Sequence, residues 1–280
     1  MAKILVTGSK GTLGKYVKAS FKNSSYELFA TDRRSLDVTD GQLVKDFILK
    51  SKPDFVIHLA ALTNVDYCEK NPKEALATNT TGTKNLVLAC KKLDIPFIFI
   101  STSAVFSGEK VGYSERSTPN PLNKYGQSKM LAEQIIKKYL KKYYIIRAGW
   151  LIGGGKLEKK FISYIFNDIK KGKNVSVVND KWGTITYAAE LAEFIKFLIE
   201  EKIKYGIYHF GSSGLCSRLD IANHIQKFVN KGTITPIPST TFDSVFFAPR
   251  PRYEVLTTNK IPFINHWQKS LENYIQDELI

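Results

Sequence analysis

The chain has 280 residues, of which 43% are hydrophobic and 24% charged, so it is long enough to build a full core and gives no sign of disorder. Its formal net charge of +15 favours anionic ligands such as nucleotides, but the lysines are spread along the chain, which disfavours nucleic acid as a partner. Three cysteines without CxxC spacing argue against a disulfide framework or a zinc site, and we predict no metal ligands. The apolar run at the N-terminus is too short for a signal peptide or a membrane span, so we predict a cytoplasmic protein without a membrane partner.

Short apolar runs alternate with longer amphipathic stretches in the first half of the chain. Strands are predicted at 3–7, 26–31, 54–60, 96–101 and 143–148. Helices are predicted between them, at 12–22, 40–51, 72–92 and 121–142. Because the strands are hydrophobic almost throughout, we expect them to be buried on both faces of a parallel sheet. The pattern predicts an α/β protein with a doubly wound, Rossmann-like parallel sheet.

After residue 150 this alternation becomes less regular. Helices are predicted near 157–171, 187–202, 217–229 and 266–278, with strands near 174–178 and 205–210. We therefore predict a dinucleotide-binding Rossmann domain at 1–150. The mixed region at 151–280 would complete the sheet and form a smaller, substrate-binding C-terminal lobe over the carboxyl ends of the strands.

A glycine-rich segment, "TGSKGTLG" at 7–14, follows the first predicted strand and opens the first predicted helix. Its glycines allow backbone N–H groups to approach a pyrophosphate, and the N-terminus of the helix adds partial positive charge. The segment therefore predicts a dinucleotide site. Its cofactor-binding residues would be Gly8, Lys10, Gly11, Thr12, Leu13 and Gly14.

The end of the second predicted strand, "TDRRSLD", bears on the choice of cofactor. Asp32 lies 18 residues after the last glycine of the loop, where an acidic residue would bind an adenosine ribose hydroxyl. Arg33 and Arg34 could hold a 2′-phosphate instead, so NAD and NADP both remain open. Further along, Asp37, which precedes Val38, either reaches the adenine or caps the helix that starts near residue 40.

A tyrosine and a lysine lie four residues apart in "NKYGQSK" at 123–129. On a helix, Tyr125 and Lys129 share one face. The two side chains are either a surface pair or a proton donor beside an ammonium that tunes its pKa.

Taken with "HLAAL" at 58–62, "STS" at 101–103 and the glycine loop, this pair makes the chain resemble the extended short-chain dehydrogenase/reductase family. Within that family, the chain is most similar to the dTDP-4-dehydrorhamnose reductases. The likeness extends along essentially the whole chain. It is carried, in order, by "RSLDVTD", "PDFVIHLAALTNVDYCE", "ATNTTGTKNL", "NPLNKYGQSKMLAEQ", "IRAGWLIGGG", "WGTITYAAELA" and "APRPRYEVLTTNKI".

The resemblance implies a catalytic set. Tyr125 would donate a proton to the substrate carbonyl as hydride arrives from the nicotinamide. Lys129 would lower the pKa of that tyrosine and hold the nicotinamide ribose, and Thr102 would hydrogen-bond the developing alkoxide. Further residues implied on the cofactor side are Ala60, Ala61, Leu62, Asn79 and Ser101.

The resemblance also implies a substrate side that binds a nucleotide sugar. Trp150 would stack near the sugar nucleotide, and the guanidinium of Arg250 would meet a diphosphate. The residues implied on this side are Thr63, Val65, Ser103, Trp150 and Arg250.

The chain departs from the subfamily directly after the fourth predicted strand. The rhamnose reductases typically read Thr-Asp-Tyr-Val-Phe there, and this chain reads "TSAVF" at 102–106. Ser103 replaces an acidic residue and Ala104 an aromatic one, where the sugar ring should lie. We expect this loss to remove a carboxylate and a phenol from the pocket. The segment also resembles the Ser-Ala-x-Val-Tyr of extended sugar-nucleotide epimerases.

The leading hypothesis is an NAD(P)H-dependent reductase of a 4-keto-6-deoxy sugar nucleotide, giving dTDP-L-rhamnose or a related deoxysugar donor. The alternatives are an epimerase that retains its NAD and a non-catalytic, nucleotide-binding regulatory subunit. The resemblance allows a homodimer, which is common in the family. It also allows Mg²⁺ at a dimer contact, although no carboxylate cluster in the sequence demands the ion.

Overall fold

A computed structural model of the protein describes residues 1–155, 161–242 and 245–280. Its described strands are β1 (Ala2–Thr7), β2 (Tyr26–Ala30), β3 (Phe55–His58), β4 (Phe97–Thr102), β5 (Tyr143–Ala148), β6 (Trp150–Ile152), β7 (Asn174–Val178), β8 (Trp182–Gly183), β9 (Ile185–Tyr187), β10 (Gly206–Phe210), β11 (Cys216–Ser217), β12 (Thr233–Ile237) and β13 (Tyr253–Glu254). Its described helices are α1 (Thr12–Ser20), α2 (Gly41–Ser51), α3 (Val65–Lys70), α4 (Pro72–Ala75), α5 (Gly82–Leu93), α6 (Lys124–Tyr139), α7 (Phe161–Lys170), α8 (Ala188–Glu200), α9 (Arg218–Val229) and α10 (Trp267–Tyr274).

The main sheet of the described residues contains six parallel strands in the order β10-β5-β4-β3-β1-β2. β2 and β3 pair with opposite sides of β1, so the chain reverses its direction across the sheet at that point. In open α/β sheets, ligands bind at the carboxyl ends of the strands beside such a reversal. The predicted doubly wound parallel α/β fold is confirmed, and its topology locates the expected ligand site between β1 and β3.

Helices cover both faces of this sheet. In β1, Ile4 and Val6 belong to one hydrophobic cluster with side chains of α1 and α8, whereas Leu5 belongs to a second cluster with side chains of α2, α5 and α6. All three side chains are fully buried. Because successive side chains of a strand point to opposite faces, a strand covered on both faces is apolar at every position, which explains the near-continuous hydrophobic runs.

The second half of the chain contributes both to the sheet and to a smaller lobe. β10 extends the sheet beside β5, and α8 packs on one face. α7, α9 and α10 surround a separate hydrophobic cluster that includes Ile165, Ile225 and Leu271. The division of the chain at residue 150 remains a prediction.

Two predicted helices differ from the structure for local reasons. The predicted helix at 72–92 is a continuous helical run in which a π-helical segment, Leu76–Thr81, joins α4 to α5. The predicted helix at 121–142 begins later because the side chain of Asn123 caps α6, accepting a hydrogen bond from the backbone N–H of Gly126 at 2.9 Å.

Other elements could not be predicted or cannot be compared in full. Within the predicted helix at 157–171, residues 157–160 lie outside the described residues, and α7 begins at Phe161. α3 and the strands of two or three residues are too short to show hydrophobic periodicity. β12 has five residues, but Pro236 within it argues against a strand in the sequence.

Candidate active site

A cavity of about 710 Å³ opens at the carboxyl edge of the sheet, between the strands and the smaller lobe. It brings together the glycine loop, the tyrosine–lysine pair and the predicted sugar-side residues. The predicted site residues that line it are Gly8, Gly11, Thr12, Leu13, Gly14, Ala61, Thr63, Val65, Ser101, Thr102, Ser103, Tyr125, Lys129, Trp150 and Arg250.

Close backbone approaches require glycine in the loop after β1. Gly8 has a φ angle of +66°, and a Cβ atom there would lie 2.6 Å from the backbone N of Ala60. A Cβ atom at Gly14 would lie 2.6 Å from the carbonyl oxygen of Ser9. α1 follows directly, and its first turn contains no acidic residue. This bare backbone and helix N-terminus fit the pyrophosphate of a dinucleotide.

A second cavity of about 330 Å³ lies at the end of β2 and is lined by Ser9, Lys10, Ala30, Asp32, Arg34 and Ser35. The carboxylate of Asp32 pairs with Lys10 and accepts a hydrogen bond from the backbone N–H of Arg34 at 3.0 Å. The hydrogen bond from Lys10 is the main reason why the pKa of Asp32 falls to about 2. The cavity thus offers an ionised acceptor for a ribose hydroxyl and two cations for a phosphate.

The neighbouring predicted residues lie outside both cavities. Arg33 turns towards Asp37, with 3.3 Å between Nε and Oδ2. Asp37 accepts hydrogen bonds from the backbone and side chain of Thr39, and Asp40 caps α2 instead. Of the two alternatives for Asp37, capping of this helix is excluded, because Asp40 is the residue directly before its first turn, and contact with the adenine stays a prediction. Val38 is buried in the core.

Asn79 fixes the loop after β3. Its side chain accepts a hydrogen bond from the backbone N–H of Leu62 at 2.8 Å and donates to the carbonyl of Leu62 at 3.0 Å and to Oγ of Ser128 at 2.9 Å. None of Asn79, Leu62 and Ala60 lines the main cavity, whereas Ala61 does. Asn79 thus connects the loop that carries Ala61 to α6.

The first turn of α6 brings Tyr125 against the end of β4. A Cβ atom at Gly126 would lie 2.1 Å from the carbonyl oxygen of Ala104. The backbone of α6 therefore packs directly against the backbone of the turn after β4. Thr102, the last residue of β4, hydrogen-bonds the side chain of Tyr125. Lys129 follows one helical turn later and lines the same cavity.

Burial dominates the electrostatics of this pair. It raises the pKa of Tyr125 to about 12, against the lowering effect of the hydrogen bond with Thr102. It also lowers the pKa of Lys129 to about 7, although Glu133 partly opposes this. The ammonium nitrogen of Lys129 lies 3.9 Å from the ring centroid of Phe99. Burial, not Lys129, is the largest influence on the pKa of Tyr125, and the lowering of that pKa by Lys129 beside a bound nicotinamide stays a prediction.

A carboxylate lies on the sugar side of the cavity. Oγ of Ser103 donates a hydrogen bond to Oε2 of Glu254 at 2.8 Å, and Nε1 of Trp150 donates to Oε1 at 3.0 Å. Glu254 ends β13 and lines the cavity. Ser103 carries no acid, as its sequence shows, but the pocket is not without a carboxylate. The acid comes from a residue 151 positions away in the chain, which sequence order does not reveal.

The guanidinium of Arg250 is already partnered within the protein. Its Nη2 lies 2.6 Å from Oδ2 of Asp66, and its Nη1 donates a hydrogen bond to the carbonyl of Ala248 at 2.9 Å. Arg250 nevertheless lines the cavity, so its remaining donors are near the sugar side.

A second arginine, Arg218, lines the same cavity and was missed in the sequence. Its guanidinium carbon lies 4.6 Å from the ring centroid of Trp150 and 4.8 Å from that of Phe161. The capping box of Ser217 and Asp220 makes Arg218 the first residue of α9. That box was a readable sign of a helix start, but it does not say which cavity the helix faces.

The chain matches the family described as "RmlD substrate binding domain" over residues 2–280. The chain belongs to this family. It is 32% identical to the spore coat polysaccharide biosynthesis protein SpsK of Bacillus subtilis, with 99% of this chain and 98% of that protein covered. The resemblance to the dTDP-4-dehydrorhamnose reductases of the extended short-chain dehydrogenase/reductase family is confirmed.

Solved structures agree with this membership. The dTDP-4-dehydrorhamnose reductase from Yersinia enterocolitica has a TM-score of 0.93 and 36% identity, with 99% of both chains covered. The reductase from Bacillus anthracis, in complex with NADP, has a TM-score of 0.92 and 31% identity, with 99% of this chain and 100% of that chain covered.

No group of three or more His, Cys, Asp and Glu side chains in the described part of the chain is arranged to hold a metal ion. No helix among residues 1–155, 161–242 and 245–280 has the length and apolar character needed to cross a membrane.

Proposed function

We propose that this protein is an NAD(P)H-dependent oxidoreductase that reduces the keto group of a 4-keto-6-deoxy sugar nucleotide, giving dTDP-L-rhamnose or a related deoxysugar donor. The observation that carries the proposal is the convergence of the glycine loop with Thr102, Tyr125 and Lys129 on one cavity. The reductases among the relatives support it, because the match extends over nearly the whole length of both chains.

In this reaction, a bound reduced nicotinamide supplies the hydride to the carbonyl carbon. Tyr125 gives its phenolic proton to the carbonyl oxygen. With a pKa of about 12, the phenol is fully protonated at neutral pH. An alkoxide is roughly as basic as hydroxide and far more basic than a phenolate, so the transfer to oxygen is favourable.

The two neighbours of Tyr125 have complementary tasks. Thr102 donates a hydrogen bond to the oxygen on which negative charge develops. Lys129, when protonated, stabilises the phenolate that Tyr125 becomes and binds the nicotinamide ribose hydroxyls. Because the pKa of Lys129 is about 7, an adjacent anion is sufficient to favour its charged form.

The smaller cavity receives the adenosine end of the cofactor. Asp32 accepts a hydrogen bond from a ribose hydroxyl of NADH, whereas Lys10 and Arg34 meet the 2′-phosphate of NADPH. The ion pair between Lys10 and Asp32 supports use of both cofactors, because Lys10 offsets the repulsion between the carboxylate and a phosphate. Residues 1–150 thus bind the cofactor and contribute Ser103 and Trp150 to the sugar side, whereas residues 151–280 contribute Arg218 and Arg250.

The sugar nucleotide occupies the other end of the main cavity. The guanidinium groups of Arg218 and Arg250 face its diphosphate, and Trp150 contacts the sugar. This arrangement is supported by the position of all three side chains on the cavity wall.

The test is consumption of NADPH or NADH, followed at the nicotinamide absorbance, with a panel of 4-keto-6-deoxy sugar nucleotides. Turnover with at least one member is expected. Tyr125→Phe should lower kcat by roughly 100- to 10,000-fold, as expected for loss of a general acid, and leave the Kd for NADPH within about twofold. Absence of turnover with every sugar and both cofactors would falsify the proposal.

The alternative functions are not favoured. A Thermus thermophilus UDP-glucose 4-epimerase is 20% identical and shares the fold alone. An epimerase would purify with stoichiometric NAD and consume no NADH. A regulatory subunit would keep its function in the Tyr125→Phe variant.

A further inference from the structure

We propose that Glu254 determines sugar specificity, by accepting a hydrogen bond from a donor on the ring carbon next to the carbonyl that is reduced. This inference rests on the proposed function for the identity of that carbonyl. The donor is a hydroxyl or an amino group, since a carboxylate accepts hydrogen bonds from both.

The carboxylate is held in place but not saturated. Ser103 occupies one carboxylate oxygen, at 2.8 Å, and Trp150 the other, at 3.0 Å. An ionised carboxylate offers about four acceptor positions, so about two remain after these bonds. Glu254 is half-buried and lines the main cavity, so the remaining positions are available to a ligand there.

The place of the carboxylate in the site is set by its neighbours in the chain and in space. Ser103, one of its two tethers, directly follows Thr102, which we assign to the carbonyl oxygen. Glu254 is also close enough to Tyr125 for its negative charge to oppose ionisation of the phenol. A group bound by Glu254 is therefore adjacent to the reacting carbonyl rather than at the nucleotide end.

A purely structural role explains these contacts less well. The fold joins β13 to β8 through backbone pairing of Tyr253 with Trp182 and of Glu254 with Gly183, so the carboxylate is not needed for that connection. A structural acid is usually paired with a cation, and among the ion pairs of the described residues none includes Glu254. Arg218 lies on the same cavity wall, but its guanidinium packs on the rings of Trp150 and Phe161.

The experiment compares wild type with Glu254→Gln on paired substrates that carry a hydroxyl, an amino group or only hydrogen on the ring carbon next to the carbonyl. With the hydroxyl or amino substrate, Glu254→Gln should lower kcat/KM by about 10- to 100-fold, the range for a hydrogen bond to a charged group. With the deoxy substrate, the two proteins should differ by less than twofold. The KM for NADPH should not change.

Two further variants separate recognition from packing. The double variant Ser103→Asp/Glu254→Ser exchanges the hydroxyl and the carboxylate between these two hydrogen-bonded positions. It should recover part of the activity on the preferred substrate. Glu27→Gln, at an exposed position in β2, is the matched control and should behave as wild type. The better of the hydroxyl and amino substrates identifies the donor.

The outcomes distinguish this inference from the proposed function. Equal losses of kcat/KM on all three substrates in Glu254→Gln would show a structural role and overturn the inference. If wild type turns over no substrate, the proposed function fails. Calorimetry then compares the affinity of wild type and Glu254→Gln for dTDP-L-rhamnose and for its deoxy analogue. A loss of affinity in Glu254→Gln for dTDP-L-rhamnose alone supports the inference. Equal affinities of the two proteins for both ligands, or no binding at all, refute it.

Discussion

Replacing Gly126 by alanine should separate Tyr125 from Thr102 without changing either residue. The new Cβ atom would lie 2.1 Å from the carbonyl oxygen of Ala104 and 2.9 Å from Cβ of Pro121. Real Cβ atoms essentially never approach closer than 3.0 Å, so α6 must move away from the turn after β4 by about 0.9 Å. Neither obstacle is the far end of a flexible side chain, so the helix itself has to move.

This displacement has a calculable cost. Overpacking of this kind typically lowers the free energy of unfolding by about 1–3 kcal/mol. A misplacement of roughly 1 Å between reacting groups costs about 100-fold in rate. We therefore expect Gly126→Ala to lower kcat about 100-fold, with a Kd for NADPH close to that of wild type, because the glycine loop is untouched.

The assays are steady-state reduction of the best sugar nucleotide and urea unfolding. Gly41→Ala is the matched control, since Gly41 also lies in the first turn of a helix and the nearest atoms to its new Cβ all belong to the side chain of Asn85, with Oδ1 closest at 3.2 Å. This control should keep full activity. A Gly126→Ala protein with a kcat within threefold of wild type and unchanged stability would refute the close-contact argument.

The remaining predictions concern the cofactor and the buried lysine. Arg34→Ala should raise the KM for NADPH about tenfold and leave the KM for NADH unchanged. Arg33→Ala should change neither KM, because Arg34 lines the smaller cavity and Arg33 does not. Equal effects of the two variants would contradict this assignment. Lys129 has a pKa of about 7 when folded and about 10.4 when unfolded, so the folded state binds fewer protons between these values and stability rises with pH. Between pH 7 and pH 9, the unfolding free energy of wild type should therefore gain about 2 kcal/mol relative to Lys129→Met, measured by urea titration; a constant difference would show that burial does not depress this pKa.

The sequence was informative where function depends on local order. Gly8 and Gly14 could be read as a phosphate loop because the strand before them and the helix after them are their chain neighbours. Tyr125 and Lys129 could be paired because helical periodicity alone puts them on one face. The near-continuous hydrophobicity of the first strand likewise predicted a sheet covered on both faces.

The sequence by itself thus determined the doubly wound fold, the dinucleotide loop and the tyrosine–lysine pair, since each is encoded within one or two consecutive elements. Tertiary structure alone decided which acid lies beside Ser103, because Ser103 and Glu254 meet only after β4 and β13 converge on the same cavity. It also decided the pKa values of Tyr125 and Lys129. Those values depend on how much water the packed cavity excludes, a property of the assembled walls rather than of any segment.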